Sequence, residues 1–145
     1  MRIYLDNCCF NRPFDNQSSI RIKLETDAKL YTQLMIRTEK IELAWSYILD
    51  FENEANPFLE RKNTIETWRK LSIIDIEENK AILSRANHFV KQGIKPKDAL
   101  HIASAIEADC KYFLTTDDLL LKKTKTIKEI EIVNPIDFIK VTEKL

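Results

Sequence analysis

Four acidic residues, Asp6, Glu52, Asp98 and Asp117, stand where the apolar pattern of the chain changes character. Asp6 ends the apolar stretch IYL, and Glu52 lies in a helical stretch behind the dipeptide WS. Asp98 follows Pro96 by two residues, in the first turn of a helix, and Asp117 directly follows FLTT. Two carboxylates about 4 Å apart repel by roughly 1 kcal/mol in water and about 4 kcal/mol at an effective dielectric of 20. A cluster of four therefore takes up protons or binds cations. Donor sets made only of oxygen favour hard ions, Mg²⁺ or Mn²⁺, over zinc. Each acid also has an ordinary reading. Asp98 complements a helix dipole, Asp117 or Asp118 caps a helix, Glu52 is a solvated helix residue, and Asp6 starts an Asx-turn. Convergence of all four is what the ordinary readings do not explain.

The elements needed to bring them together are visible in the pattern. RIYLD, KIELAW, KYFLTT and IEIVNP read as short strands, and LSIIDI as a strand or a buried connector. Between them, Ile20, Leu24, Leu30 and Leu34 recur with helical spacing. SYILDFENEA, a segment opening at Pro57, EENKAILSRANHFVKQG, PKDALHIASAIEADC, DDLLLKKTK and the C-terminal segment are further helices. Gly93 falls where a helix end wants a left-handed residue. Strands alternating with helices predict a mostly parallel sheet covered on both faces, a three-layer α/β/α sandwich, as one domain over residues 1–145. Parallel strands deliver their carboxyl ends to one edge, so Asp6 and Asp117 share it and flanking helices bring Glu52 and Asp98.

Composition removes several classes. Gly93 is the only glycine, so neither a phosphate-binding loop nor a dinucleotide fingerprint can form. Lys plus Arg and Asp plus Glu both number 23, so attraction to nucleic acid needs a local basic patch. No apolar run is long enough to cross a bilayer and no export signal is recognisable, which predicts a cytoplasmic protein. Three cysteines, two of them adjacent, favour neither a disulfide framework nor a zinc site and read as small buried side chains. Trp45 and Trp68 read as core.

The stretches IYLD, WSYILDFE, KPKDALHIASA and FLTTDD occur in an order that resembles the PIN-domain family, which includes the VapC-type toxins. The resemblance spans nearly the whole chain and implies a metal-dependent ribonuclease. In it Asp6, Glu52, Asp98 and Asp117 serve as both catalytic and metal-holding residues for Mg²⁺ or Mn²⁺, with Asp118 as the fallback for the last. It further implies an RNA substrate, an antitoxin partner and a homodimer as candidate associations. Asn7 stands where many relatives carry Thr or Ser, and the Pro13-containing stretch NRPFDNQSS reads as a long loop.

Around the acids, Asn7, Ser46, Thr115 and Thr116 are candidates to hold ligands or water in place. Arg12, Arg21, Lys95, Lys97 and the run KKTKTIK are candidates to meet RNA phosphates. His101, three residues after Asp98, reads as a hydrogen-bonded structural histidine, and Glu25 as a residue of a solvated helix face. Two competing functions remain at this stage. One is a non-catalytic RNA- or protein-binding module. The other is an aspartyl-phosphate phosphatase, disfavoured because Cys8 replaces the second acid of an Asp-x-Asp motif.

Overall fold

A computed structural model of the chain describes residues 1–144. Its strands are β1 (Arg2–Leu5), β2 (Glu42–Ser46), β3 (Ile74–Ile76), β4 (Tyr112–Leu114) and β5 (Glu131–Val133). They form a single sheet in the order β3-β2-β1-β4-β5, and every pairing is parallel. Successive strand residues point to opposite faces. Ile3, Tyr4 and Leu5 are all buried, as are Leu43 to Ser46, so both faces of the central strands are covered. That is the expected sandwich, with a fully parallel sheet.

Eight helices surround it among the described residues. They are α1 (Asn7–Asn11), α2 (Ile20–Arg37), α3 (Tyr47–Glu54), α4 (Leu59–Arg69), α5 (Lys80–Lys91), α6 (Pro96–Glu107), α7 (Asp118–Lys123) and α8 (Pro135–Thr142). All but α4, which starts at Leu59 without a side-chain cap, begin at a capping side chain or a proline. Ser46 caps α3 through Leu49 N, Asn79 caps α5 through Ile82 N, and Asn134 caps α8 through Ile136 N. Pro96 opens α6 and Pro135 opens α8, where a missing N–H costs nothing. Gly93, at φ +97°, follows the end of α5 in the left-handed conformation expected of it. Trp45, Tyr4, Phe10 and Phe113 are among the largest fully buried side chains, and Trp68 is buried as well.

Two departures from expectation matter for the site. The stretch expected as a long loop, residues 11–19, is partly ordered: α1 (Asn7–Asn11) runs into it, a 3₁₀ turn covers Arg12–Phe14, and only residues 15–19 are irregular. The side chain of Asp6 accepts from Asn7 N, which nucleates that first turn. The second departure is α2. Its apolar positions Ile20, Leu24, Leu30 and Leu34 face outward, 48–79 % exposed, while Glu25, Lys29, Thr32 and Gln33 face inward.

Glu25 is therefore not on a solvated face; it is fully buried. Long-range partners explain the inversion. Glu25 lies 3.2 Å from Arg12 Nε and accepts from Asn134 Nδ2 at 2.5 Å, and Thr26 Oγ1 donates to Arg12 O at 3.2 Å. The outward stripe continues onto α8, where Leu24, Tyr31, Ile136 and Ile139 line an apolar cavity of about 330 Å³.

Candidate functional site

The order of strands turns at β1. From it the chain builds β2 and β3 on one side and returns to build β4 and β5 on the other. Carboxyl ends of strands at such a switch point flank a crevice. Asp6 follows β1, and Thr115, Thr116 and Asp117 follow β4, joined by the bond from Asp6 N to Leu114 O at 2.9 Å. Helix α3 brings Glu52, and the first turn of α6 brings Asp98. All four carboxylates line one cavity of about 630 Å³, together with Asn7, Cys8 and the segment Lys95–Lys97.

Each acid is held by specific donors. Asp6 is nearly buried; Oδ1 accepts from Asn7 N at 2.8 Å and Oδ2 from Thr115 Oγ1 at 2.9 Å. Burial pushes its pKa well above the ordinary value, and the nearby Cys8 thiol adds to this against His101 and Thr115. Glu52 accepts from Asn7 Nδ2 at 3.1 Å and makes a very short contact with His101 Nε2. Burial raises the Glu52 pKa, but His101, Lys97 and Asn7 together outweigh it, and the net shift is downward. Asp98 is pushed upward, first by burial and then by the charges of Asp117 and Glu52. Asp117 both lines the cavity and caps α7, its Oδ1 accepting from Leu119 N at 3.0 Å and Leu120 N at 3.2 Å.

Behind Glu52 runs a buried chain of polar groups. His101 Nδ1 lies 2.6 Å from the Tyr4 hydroxyl, which lies 2.5 Å from Ser46 Oγ. Ser46 Oγ in turn accepts from Leu49 N at 3.4 Å, capping the helix that carries Glu52. One proton arrangement satisfies every member: Ser46 donates to Tyr4, Tyr4 to Nδ1, and Nε2–H to Glu52. His101 is thus the hydrogen-bonded structural histidine expected.

The remaining expectations divide. Asn7 and Thr115 hold the carboxylates directly, whereas Ser46 reaches them only through Tyr4 and His101. Thr116 contributes backbone groups, its N donating to Cys8 Sγ and its O accepting from Arg21. Asp118, the fallback acid, turns away and binds Arg21 through both oxygens, at 2.5 and 2.6 Å. Arg21 is thereby occupied, as is Arg12, which pairs with Asp15 and Glu25. Lys95 and Lys97 are the cations that line the cavity. Lys128, from the basic run, lines a different cavity with Arg2, Glu42 and Lys111, off the amino ends of β1, β2 and β4.

Cys9 and Cys110 are buried as expected, but Cys8 is not core. It lines the acidic cavity with Sγ 3.5 Å from Asp6 Oδ2. Its position two residues beyond a capping aspartate, which turns the side chain back toward the cap, was the available signal.

The chemistry of the donors fits a hard divalent cation. Four carboxylates share one cavity, and mutual charge raises at least Asp98, a situation a cation relieves. Among the described residues, however, no three His, Cys, Asp or Glu side chains are gathered tightly enough to hold an ion as they stand.

A family model described as PIN domain matches residues 3–126. No curated protein matches the sequence. Among solved structures, the chain is similar to FitAcB from Neisseria gonorrhoeae, with 15 % identity and a TM-score of 0.59 over 92 % of this chain and 97 % of that one. VapBC2 from Rickettsia felis, bound to a DNA fragment from their promoter, gives 16 % identity, a TM-score of 0.58, and 92 % and 98 % coverage. VapBC-1 from nontypeable Haemophilus influenzae gives 17 %, 0.59, and 93 % and 98 %. At such identities the likeness speaks for the fold.

Proposed function

The chain belongs to the PIN-domain family, a family of nucleases, and from that premise we propose that it is a Mg²⁺- or Mn²⁺-dependent endoribonuclease. The observation that carries this reading is the convergence of Asp6, Glu52, Asp98 and Asp117 on one cavity at the switch point of a parallel sheet. A divalent cation bound there supplies a water of lowered pKa and positive charge for the phosphoryl oxygens. The four carboxylates are the groups we assign to hold it. Asn7 and Thr115 orient Asp6, and Asn7 and His101 orient Glu52. Lys95 and Lys97 meet the phosphates that approach this acidic pocket.

The test is cleavage of RNA in Mn²⁺ by the full chain, together with calorimetric titration of Mn²⁺. Asp6→Asn is expected to abolish cleavage and weaken the ion while the protein still unfolds cooperatively. That no three His, Cys, Asp or Glu side chains among the described residues form a ready-made ion site favours a second reading, a binding module without catalysis. Absence of both Mn²⁺ binding and cleavage in the wild-type protein would refute the enzyme reading.

We assign the partner surface to the outward stripe of α2, continued on α8, because Ile20, Leu24, Leu30 and Leu34 stand exposed there beside an apolar cavity. A small antitoxin-like protein is the occupant proposed, in the cytoplasm, where three unpaired thiols remain reduced. No helix among the described residues is long and apolar enough to cross a membrane. A second copy of the chain is the competing occupant. Light scattering of the purified protein distinguishes them: a monomer that Leu24→Glu leaves unchanged argues for the partner, and a dimer that Leu24→Glu dissociates argues for self-association.

A further inference from the structure

We propose that an unpaired nucleic-acid strand crosses this site by stacking bases on two aromatic–cation platforms, Phe51 with Lys97 and Phe58 with Arg61 and Phe14. The inference rests on the nuclease reading and extends it to how the substrate is held.

Three aromatic side chains are exposed among the described residues: Tyr31, Phe51 and Phe58. Tyr31 lies on α2 and gives its hydroxyl to Glu143. The other two carry a cation on the ring. Lys97 Nζ lies 5.5 Å from the centroid of Phe51, which is 60 % exposed and precedes Glu52 in sequence. Lys97 itself lines the acidic cavity, so this platform stands at its rim. Arg61 Cζ lies 4.5 Å from the centroid of Phe58, which is 55 % exposed, and 5.3 Å from that of Phe14. The guanidinium is fixed there by a 2.9 Å bond to Phe14 O, with Asp15 at 4.0 Å.

A ladder of amides joins the second platform to the acids. Asn7 donates to Glu52 at 3.1 Å, Asn11 to Asn7 Oδ1 at 3.3 Å, and Asn56 to Asn11 Oδ1 at 3.5 Å. Phe58 N closes it on Asn56 Oδ1 at 3.1 Å. Exposed rings, cations for phosphates and neutral amides thus follow one another from the rim of the cavity along α1. Rings of this kind bind bases through their π-faces regardless of sequence, while neighbouring cations track the backbone. A base inside a duplex already has both faces stacked, so the arrangement selects an unpaired strand. A protein occupant would have no use for Lys97 facing the acidic cavity; it is the alternative the experiment separates.

The experiment uses the full chain carrying Asp6→Asn, to hold RNA uncut, and fluorescence anisotropy with a short labelled RNA, unpaired or annealed to its complement. Phe51→Ala and Phe58→Ala are each expected to weaken binding of the unpaired strand by about 5- to 100-fold and to leave the weaker duplex binding unchanged. Leu59→Ala, an exposed apolar neighbour without a cation, is expected to change neither. Thermal unfolding confirms that each variant is folded. Unchanged affinity in both Phe variants, the result expected if the rings meet a protein, overturns the proposal. Equal losses for duplex and unpaired RNA do the same. Failure of the nuclease reading looks different: the wild-type chain then binds unpaired RNA through these rings without cutting it in Mn²⁺.

Discussion

Replacing Tyr4 by Phe removes one oxygen from the chain that runs from Ser46 to Glu52. The ring stays, since it stacks on Phe113 at 5.3 Å with an interplanar angle of 8° and is fully buried. Burial raises the Tyr4 pKa well above its ordinary value, so the phenol is a neutral hydrogen-bond donor at any working pH. Without it, His101 Nδ1 loses its partner at 2.6 Å, and Ser46 Oγ keeps only Leu49 N. A buried polar group left unpaired costs about 1–3 kcal/mol. The imidazole then loses the contact that fixes its ring from behind, and Nε2–H is held less firmly toward Glu52. Loss of partners behind a ligand commonly weakens metal binding by about 10- to 100-fold. The lower end, about tenfold, applies here because the missing oxygen sits one hydrogen bond beyond His101. Calorimetric titration with Mn²⁺ measures the affinity and urea unfolding the stability. A Tyr4→Phe protein that loses stability yet binds Mn²⁺ as tightly as wild type would refute the idea that this chain positions Glu52.

Glu25→Ala is expected to destabilise the fold by about 3 kcal/mol, the lower end for breaking a buried ion pair, because Arg12 keeps Asp15 and Arg21 keeps Asp118. For a chain of this size that lowers the melting temperature by about 6–12 °C in a thermal scan; a shift under 2 °C would contradict the burial argument. Lys29, nearly buried against Phe10 and Trp68, has its pKa lowered to about 7, chiefly by burial and further by Arg37, with Cys9 acting the other way. Below that value the ammonium is charged in folded and unfolded chains alike. Between about 7 and the ordinary lysine range the unfolded chain binds the extra proton, so stability rises with pH, by at most about 1.4 kcal/mol per unit. Lys29→Met should lack this slope in urea titrations compared between pH 7 and pH 9, and a difference between the two proteins that is constant with pH would count against it.

Much of the architecture was legible because its signals are local. Short apolar runs, period-3.6 stretches, the proline at Pro96 and the left-handed Gly93 each act within a few residues. That the four acids share one cavity was legible for a related reason: Asp6 and Asp117 follow strand ends, Asp98 lies in the first turn of a helix, Glu52 lies on the helix that follows β2, and a parallel sheet sends such segments to one edge. What could not be read depends on partners far along the chain. Asp117 and Asp118 are neighbours of the same type with different fates. Asp117 caps α7 and lines the cavity, while Arg21, 97 residues earlier, takes Asp118 away from it.

Helix α2 shows the same limit on a larger scale. Apolar spacing correctly announces a helix but does not say which face turns inward; here Glu25, Thr26, Lys29, Thr32 and Gln33 go inside, joined by Met35 and Ile36 only at the C-terminal end. Glu25 goes inside because Arg12 and Asn134 meet it there, and Thr26 joins in by binding Arg12 O. These bonds hold the Arg12–Phe14 turn, and Phe14 O holds Arg61 beneath the exposed ring of Phe58. The inverted helix therefore has two consequences from one cause. Its inner face braces the turn that supports the far platform of the site, and its outer face is left apolar. A substitution such as Glu25→Ala should consequently loosen that platform as well as the fold, and weaken unpaired RNA at Phe58 before it affects Mn²⁺ at the carboxylates.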